Sequence, residues 1–251
     1  MKIAAIYDIH GNLPALEAVL REIDQADPDI ILVGGDDVLG PMPRATLERL
    51  MQLGSRARFI HGNCDRYVVT AFDGLPFDSS TSEEAQEVMR WTAQQLDRSH
   101  RDFLAALPEH FSAYIDGLGE VLFCHGSPRS DEELITSATP EARLRAILTG
   151  VKQQIVICGH THMQFDRTLD GIRVVNAGSV GMPYGEPGAY WLLIGPEVVL
   201  QRTTYDLTQA AEQVRVSGYP QAQDFADENV LKPPTQAEAI ELFERMAEQS
   251  S

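Results

Sequence analysis

Lys2-Ile3-Ala4-Ala5-Ile6-Tyr7-Asp8-Ile9-His10-Gly11-Asn12-Leu13-Pro14-Ala15-Leu16 opens the chain and decides its architecture. The run from Lys2 to Tyr7 is apolar and short, the pattern of a buried strand. An acid and an imidazole follow at once, at Asp8 and His10, and Gly11 lets the backbone turn sharply. From Asn12 to Ala26, apolar residues fall at Leu13, Leu16, Val19, Leu20 and Ile23, the spacing of one helix face. The alternation continues: Asp29–Val33 reads as a buried strand stopping at Gly34-Gly35, Arg44–Leu53 as a helix, and Arg56–Ile60 as a strand. Strands alternating with helices predict right-handed crossovers and a largely parallel sheet, hence an α/β fold.

Further along, a helical insertion is expected over about residues 66–108. Ala85, Val88, Met89, Thr92 and Leu96 share one helix face there, and Thr81-Ser82-Glu83-Glu84 and Ser99-His100-Arg101-Asp102 resemble capping boxes. Such an insertion either overhangs a site beside it or packs peripherally. Strands are expected at His110–Ile115, Glu120–Cys124, Gln154–Cys158, Gln164–Leu169, Arg173–Asn176, Tyr190–Ile194 and Val198–Tyr205. Thr139-Pro140-Glu141 starts a helix, with Thr as N-cap and Pro at the first helical position. After residue 205, Asp206 opens a helix, Ser217–Pro234 is polar and proline-punctuated, and Thr235 caps a last amphipathic helix carrying Ile240, Leu242, Phe243 and Met246. The organisation is one domain over 1–205 and a C-terminal helical extension over 206–251.

The 251 residues are 43% hydrophobic and 23% charged, proportions of a globular chain and neither disordered nor fibrous. Against 37 Asp and Glu stand 20 Lys and Arg, a net charge of −17. That field repels nucleic-acid polymers and anionic membranes over a screening length of about 8 Å. An anionic substrate would therefore need concentrated positive charge at its own site, which a pair of dications supplies and a few arginines hardly could. No apolar run approaches the roughly 18–20 residues of a membrane span. The apolar stretch Ile3–Ile6 is too short for the core of a signal peptide. Cys64, Cys124 and Cys158 form no C-x-x-C pair and read as reduced thiols of a cytoplasmic protein. Cys124 and Cys158 are expected to be small buried apolar residues.

Five segments share one layout, an apolar strand followed by metal-capable residues: Asp8-Ile9-His10, Gly35-Asp36-Asp37, Gly62-Asn63-Cys64-Asp65, Cys124-His125-Gly126 and Gly159-His160-Thr161-His162. In an open sheet, ligands collect beyond the carboxyl ends of strands, so these segments would converge. Carboxylates mixed with imidazoles suit Mn²⁺, Fe, Zn²⁺ or Ni²⁺, whereas an all-oxygen shell would indicate Mg²⁺ or Ca²⁺. Any one box has a plain alternative: Asp8 could end a strand, Asp36 could be a turn residue, and Asn63 could sit in an Asx-turn. His61, His100 and His110 read as surface or packing histidines.

In order and spacing, the five boxes resemble the calcineurin-like metallophosphoesterase superfamily, over roughly Met1 to Tyr205. Asp8–Leu16 and Asn176-Ala177-Gly178-Ser179-Val180-Gly181 are similar to its bacterial YfcE-type phosphodiesterase branch, with Ala177 where that branch usually has Pro. The resemblance implies a four-layer sandwich of two mixed β-sheets flanked by helices. It implies that Asp8, His10 and His162 bind one divalent transition metal, that Asn63, His125 and His160 bind a second, and that Asp36 bridges them. Mn or Fe is expected, with Zn or Ni as alternatives.

The implied activity is hydrolysis of a small phosphoester, a phosphodiester above all, by in-line attack of a hydroxide bridging the metals, with Asn63 stabilising the developing charge. A protein or dinucleotide phosphatase is the alternative, and a non-catalytic metal-binding scaffold for protein contacts is the alternative of another class. Two departures bear on catalysis. Active members often carry a histidine acid where Cys64 stands, and an orienting aspartate where Leu39 stands. Cys64 at the acid position is a poor proton donor, which favours esters whose leaving group departs easily. Asn12, Arg66 and Arg129 lie near the boxes as substrate contacts, each arginine equally readable as a surface ion pair.

Overall fold

Strand β1 (Ile3–Ile6) is buried along its whole length, because both of its faces are covered. Ile3, Ala5 and Tyr7 point one way and Ala4 and Ile6 the other, the two-residue alternation of an extended chain. The computed structural model describes residues 1–249; the last two positions of the 206–251 segment lie outside the described residues. After β1 come α1 (Leu13–Ala26), β2 (Ile30–Val33), α2 (Pro43–Met51) and β3 (Ala57–Phe59). Helices α3 (Asn63–Phe72), α4 (Glu83–Gln95) and α5 (Arg98–Ala105) then lead to β4 (Phe111–Ile115) and β5 (Gly119–Phe123). Next follow α6 (Glu141–Ile147), β6 (Ile155–Cys158), β7 (Phe165–Leu169), β8 (Ile172–Asn176), β9 (Ala189–Ile194) and β10 (Val198–Thr203). The chain continues through α7 (Leu207–Arg215), the short α8 (Ala222–Asp224), a π-helical stretch Phe225–Leu231, and α9 (Gln236–Gln249).

The strands form two five-stranded mixed sheets, in the orders β10-β9-β1-β2-β3 and β4-β5-β6-β8-β7. Strands β1, β2 and β3 run parallel in one sheet, and β5, β6 and β8 in the other. Between the sheets lies a core of Ile3, Ala5, Tyr7 and Leu32 against Ile115, Phe123, Ile157 and Val175. On the outer face of the first sheet, Ala4, Ile6, Ile31, Val33 and Trp191 meet Leu16, Val19, Leu20 and Ile23 of α1. On the outer face of the second, Val156, Cys158 and Val174 meet Leu144, Ile147 and Leu148 of α6. The result is the four-layer α/β sandwich that the resemblance implies.

Two local expectations are corrected. Asp97, not Ser99, caps α5: its carboxylate accepts the Ser99 and His100 amides at 3.0 and 3.2 Å, and the Asp97 amide donates to His100 Nδ1. A carboxylate two residues earlier outcompetes a hydroxyl for the free amides of the first turn. Thr139 does not cap α6, because its hydroxyl is taken by the Thr136 amide and by Glu244 of α9. The polar stretch 217–234 contributes to a buried cluster of its own. Tyr219, Phe225, Ala226 and Val230 are buried with Val88 of α4 and Ala210, Ala211 and Val214 of α7. No helix among the described residues is long and apolar enough to cross a membrane.

Candidate metal centre

Each of the five boxes leaves its strand at the same end of the sandwich. The ladder between β1 and β2 continues past the strands: the Asp8, His10 and Gly11 amides donate to the carbonyls of Gly35, Asp36 and Asp37 at 2.9–3.0 Å. The second sheet is tied in when the His160 amide donates to Asp8 Oδ2 at 2.9 Å; within that sheet the Gly159 amide donates to the His125 carbonyl at 2.8 Å. Ser179 holds the β1 loop from the far side, its hydroxyl donating to the Asp8 carbonyl at 2.7 Å. Backbone crowding is tight enough to require glycine. A Cβ on Gly62 would stand 2.1 Å from Asp36 Oδ1, and one on Gly35, at φ +93°, would stand 2.3 Å from the Gly62 nitrogen.

Among the described residues, seven non-glycine residues have left-handed φ, and five of them are Asp8, His10, Asp36, His160 and His162. Such conformations are uncommon outside glycine and persist only where the surroundings impose them, which is frequent at functional sites.

The ring orientations follow from elementary hydrogen bonding. Nδ1 of His10, His125 and His162 lies 3.1, 2.9 and 2.8 Å from the carbonyl oxygens of Leu39, Gly34 and Met182. A carbonyl only accepts, so each Nδ1 carries the hydrogen and each Nε2 is left facing inward. His160 is reversed: Nε2 faces the Glu132 carbonyl at 3.2 Å and leaves Nδ1 free.

The inward atoms crowd together. His10 Nε2 is 3.1 Å from His162 Nε2, and Asp8 Oδ1 is 3.4 Å from His162 Nε2 and 3.8 Å from His125 Nε2. Asp36 Oδ1 is pinned by the Cys64 amide at 2.8 Å, which turns Oδ2 toward His125 Nε2 at 3.4 Å and His10 Nε2 at 3.8 Å. Asn63 Oδ1 is 3.2 Å from His125 Nε2. Donor atoms of Asp8, His10 and His162 lie within 4.8 Å of one another, as do those of Asp36, His125 and His160, with Asp36 between the two groups.

The electrostatics are those of a site built for cations. Asp8 and Asp36 are both buried, and Asp8 Oδ1 has no hydrogen-bond donor. Burial raises both carboxyls, but His162 and His125 beside Asp8, and His125 and His10 beside Asp36, outweigh it and hold both below the usual carboxylate range. Burial lowers His125, yet the Asp36 and Asp8 carboxylates carry it up to about 10. Burial and then His125 push His160 down to about 4. Orphaned carboxylate oxygen, converging imidazole nitrogens and carbonyl-anchored rings all fit bound dications.

The remaining expected contacts fare differently. Asn12 is buried and its amide is committed: Oδ1 caps α1 by accepting the Ala15 amide at 3.2 Å, and Nδ2 donates to the Gly181 carbonyl at 3.0 Å. The expectation of Asn12 as a substrate contact is thereby corrected; its side chain is spent on capping the helix. Arg66 is held by Asp131 at 3.0 and 3.1 Å and by Glu132 at 2.6 Å, and Arg129 by Glu133 at 2.8 Å. Both line a cavity of about 230 Å³ beside His125, in the ion-paired arrangement. Leu39 contributes a backbone carbonyl to His10 where an orienting carboxylate was considered. Cys124 and Cys158 are buried in the apolar layer under α6, as expected. His61 pairs with Asp131 at 3.5 Å, and His100 is buried in its cap.

Two further residues complete the site. Asp65 is buried, and its carboxylate accepts the amides of Asp36 at 2.8 Å, Asp37 at 3.0 Å and Gly62 at 3.0 Å, fastening two boxes together. The sequence placed it in the Gly62-Asn63-Cys64-Asp65 box, and its position three residues after Gly62, at the start of a helix, gives it a capping role in place of a ligand role. Tyr184 stacks on His162 at 5.9 Å between ring centroids, and Phe243 of α9 meets Tyr184 edge-on at 5.7 Å. No spacing in the sequence announces that contact. In the insertion, Trp91 turns toward Tyr219 and the C-terminal helices, while the exposed Arg90 lies over Phe77.

Two mixed sheets back to back, with carboxylates and imidazoles converging at their shared carboxyl end, define a metal-dependent hydrolase of the calcineurin-like class. The family model for the calcineurin-like phosphoesterase superfamily domain matches residues 1–194, and the chain belongs to that superfamily of phosphoester hydrolases. A metallophosphoesterase of Sphaerobacter thermophilus superposes with a TM-score of 0.72 at 28% identity, over 92% of this chain and 99% of its own. PH1004 of Pyrococcus horikoshii has the same fold, with a TM-score of 0.79 at 22% identity over 93% and 99% of the two chains. Phosphodiesterase YfcE of Escherichia coli is 26% identical over 204 residues, 77% of this chain and 87% of that protein.

Proposed function

We propose that the chain is a dimetal phosphodiesterase for small diesters with easily departing leaving groups, Asp8, His10 and His162 holding one cation, Asn63, His125 and His160 the other, and Asp36 both. The observation that carries this reading is the placement of Asp36 Oδ2 between His10 and His125 at 3.8 and 3.4 Å, with Oδ1 tied off by the Cys64 amide. Mixed nitrogen and oxygen donors favour Mn or Fe, with Zn or Ni able to substitute. Bound at these residues, a pair of divalent cations would supply Lewis acidity for the phosphoryl oxygens and a nucleophile from water at neutral pH.

The protein's own groups do the rest. Carbonyl-anchored rings keep the imidazole donors aimed inward before any ligand arrives, so little reorganisation accompanies binding. Asn63 turns Oδ1 toward His125 and Nδ2 toward the Cys64 side, where its N–H can face a phosphoryl oxygen. The buried Asp8 and Asp36 concentrate the cations that a chain of net charge −17 needs to attract an anionic ester. Tyr184 and Phe243 offer an aromatic wall beside His162 against which an ester group can pack. At position 64 no imidazole stands to protonate a leaving oxygen, and general acid assistance is typically worth about 10²–10⁴-fold. Poor leaving groups forfeit that factor, whereas nitrophenolate does not need it. The name of the Escherichia coli relative, a phosphodiesterase, is in keeping with this substrate class.

The test is to strip the protein with chelator, reload it separately with Mn²⁺, Fe²⁺, Zn²⁺ or Ni²⁺, and compare bis(p-nitrophenyl) phosphate with a dialkyl phosphate. Metal-dependent turnover strongly favouring the nitrophenyl diester supports the reading. Two bound metals with no turnover of any phosphoester would favour a non-catalytic scaffold.

A further inference from the structure

We infer that the segment following β10 positions one half of the metal centre: packed against Leu39 and Met182, it fixes the backbone carbonyls that aim His10 and His162. The inference rests on the dimetal reading and assigns the positioning of one cation's ligands to residues that do not themselves bind it. His10 Nδ1 lies 3.1 Å from the Leu39 carbonyl, and His162 Nδ1 lies 2.8 Å from the Met182 carbonyl. Leu39 and Met182 both sit in loops, outside any strand or helix. A ring aimed by a loop carbonyl is held only as firmly as that loop.

Both loops are tied by backbone bonds and backed by apolar packing. In the first, the Gly11 amide donates to the Asp37 carbonyl and the Met42 amide to the Gly11 carbonyl, each at 3.0 Å, with Leu39 between these ties. In the second, the Met182 amide donates to Ser179 Oγ at 2.7 Å. Its far end is tied to the C-terminal segment itself, the Gly185 amide donating to the Pro234 carbonyl at 2.8 Å. The side chains of Leu39 and Met182 then pack against one and the same cluster. Apart from Val88 of α4, all its buried members follow β10, Tyr219, Phe225 and Val230 among them. Phe225 is 2% exposed and meets the Tyr219 ring edge-on, so it sits at the heart of that packing.

The other half of the centre is anchored elsewhere. His125 Nδ1 faces the Gly34 carbonyl at 2.9 Å, and the Gly34 amide donates to the Ile6 carbonyl at 2.8 Å, a continuation of the β1–β2 ladder. His160 Nε2 faces the Glu132 carbonyl at 3.2 Å, in the loop between β5 and α6. Loosening the C-terminal cluster should therefore cost the two cations unequally. Truncating Phe225 leaves a void that its neighbours close only in part, which gives Leu39 and Met182 room to shift. Loss of the partners that orient a ligating histidine typically weakens metal binding about 10–100-fold.

The test titrates Mn²⁺ into metal-free full-length protein, counting free Mn²⁺ by electron paramagnetic resonance. In parallel, NMR of the metal-free, histidine-labelled protein follows the Nδ1–H protons. Phe225→Ala should weaken one of the two Mn²⁺-binding steps about 10–100-fold and leave the other unchanged. In the same variant the Nδ1–H protons of His10 and His162 should exchange faster with water, while that of His125 keeps its wild-type rate. Ile23→Ala, a void in the buried last turn of α1, is the control and should change neither readout. Should Phe225→Ala fail to fold, Met182→Ala, which keeps the carbonyl and loses the packing, should weaken the same step and speed only the His162 proton. Equal weakening of both steps, no change in either readout, or the same selective loss in Ile23→Ala overturns the inference and leaves the dimetal reading intact. A wild-type protein that binds no Mn²⁺ overturns both.

Discussion

Removing the Asp65 carboxylate should weaken the protein and the metal centre together, and the size of the effect follows from its three hydrogen bonds. Asp65 is buried and accepts from the backbone of Asp36, Asp37 and Gly62 at 2.8–3.0 Å. In Asp65→Ala those amides have no partner, and each stranded buried donor costs about 1–3 kcal/mol, so the total is about 3–9 kcal/mol. A domain of this size has on the order of 5–15 kcal/mol of stability to lose. Asp65→Asn is gentler. One amide oxygen can still serve Asp36 and Gly62, both of which use Oδ2, and the substituted NH₂ then opposes the Asp37 amide, so about 1–3 kcal/mol is lost. The same amides hold Asp36 at its left-handed φ of 57°, so metal affinity should fall about 10–100-fold in Asp65→Asn. Urea unfolding of the metal-free protein reads the first effect, and competition with a chelating dye reads the second. If Asp65→Asn unfolded at the wild-type midpoint and bound metal as tightly as wild type, the fastening role would be refuted.

Asp36→Asn halves the negative charge facing two cations at close range, so metal stoichiometry and turnover should collapse together; wild-type turnover with two metals bound would contradict the bridging role. Metal affinity should weaken as pH is lowered from about 8 to about 6, because the carboxylates that raise His125 to about 10 keep a proton where a cation must bind. Calorimetry in buffers of different ionisation enthalpy should show proton release on binding, and a pH-independent affinity would count against the assignment. Glu244→Ala removes the acceptor of Arg143 at 2.7 Å and of the Thr136 and Thr139 hydroxyls. With side chains only 20% and 18% exposed, the loss should be about 2–3 kcal/mol, somewhat under that of a fully buried pair. Freed α9 should also release Phe243 from Tyr184, raising KM for aryl diesters more than it lowers kcat; an unchanged KM would mean the wall is not used. Tyr184→Leu should reproduce that KM effect and Tyr184→Phe should not, since the hydroxyl plays no part in the stacking.

The strands were legible because they are short, apolar and punctuated, whereas their division into two mixed sheets followed from the family resemblance, the alternation alone predicting a largely parallel sheet. Lys2–Tyr7 contains Ile3–Ile6, and Gln154–Cys158 contains Ile155–Cys158, each followed directly by the residues that meet at the site. Convergence was legible for the same reason, since boxes that end parallel strands share one edge. The backbone that makes convergence work was not legible. Aspartate and histidine tolerate left-handed φ better than most residues, yet nothing in their spacing says that Asp8, His10, Asp36, His160 and His162 all adopt it. Asn12 shows the reverse limit: a polar residue beside the first box looked free to bind substrate, but a helix starting at Leu13 consumes its amide. Long-range partners were out of reach altogether. Tyr184 finds Phe243 across 59 residues, and Glu244 finds Thr136 across 108, through tertiary packing that local patterning does not encode. Within 217–234 no element could be assigned from the sequence, because hydrophobic spacing around a π-helical segment follows neither the helix nor the strand period.

The most direct test of the dimetal centre is anomalous diffraction from crystals of the Mn²⁺-loaded protein, collected on both sides of the manganese edge. The account predicts two manganese peaks about 3.5–4 Å apart on either side of the Asp36 carboxylate. One peak should lie within bonding distance of Asp8, His10 and His162, and the other within bonding distance of Asn63, His125 and His160. A single peak, or two peaks with Asp36 bonded to only one of them, would contradict it.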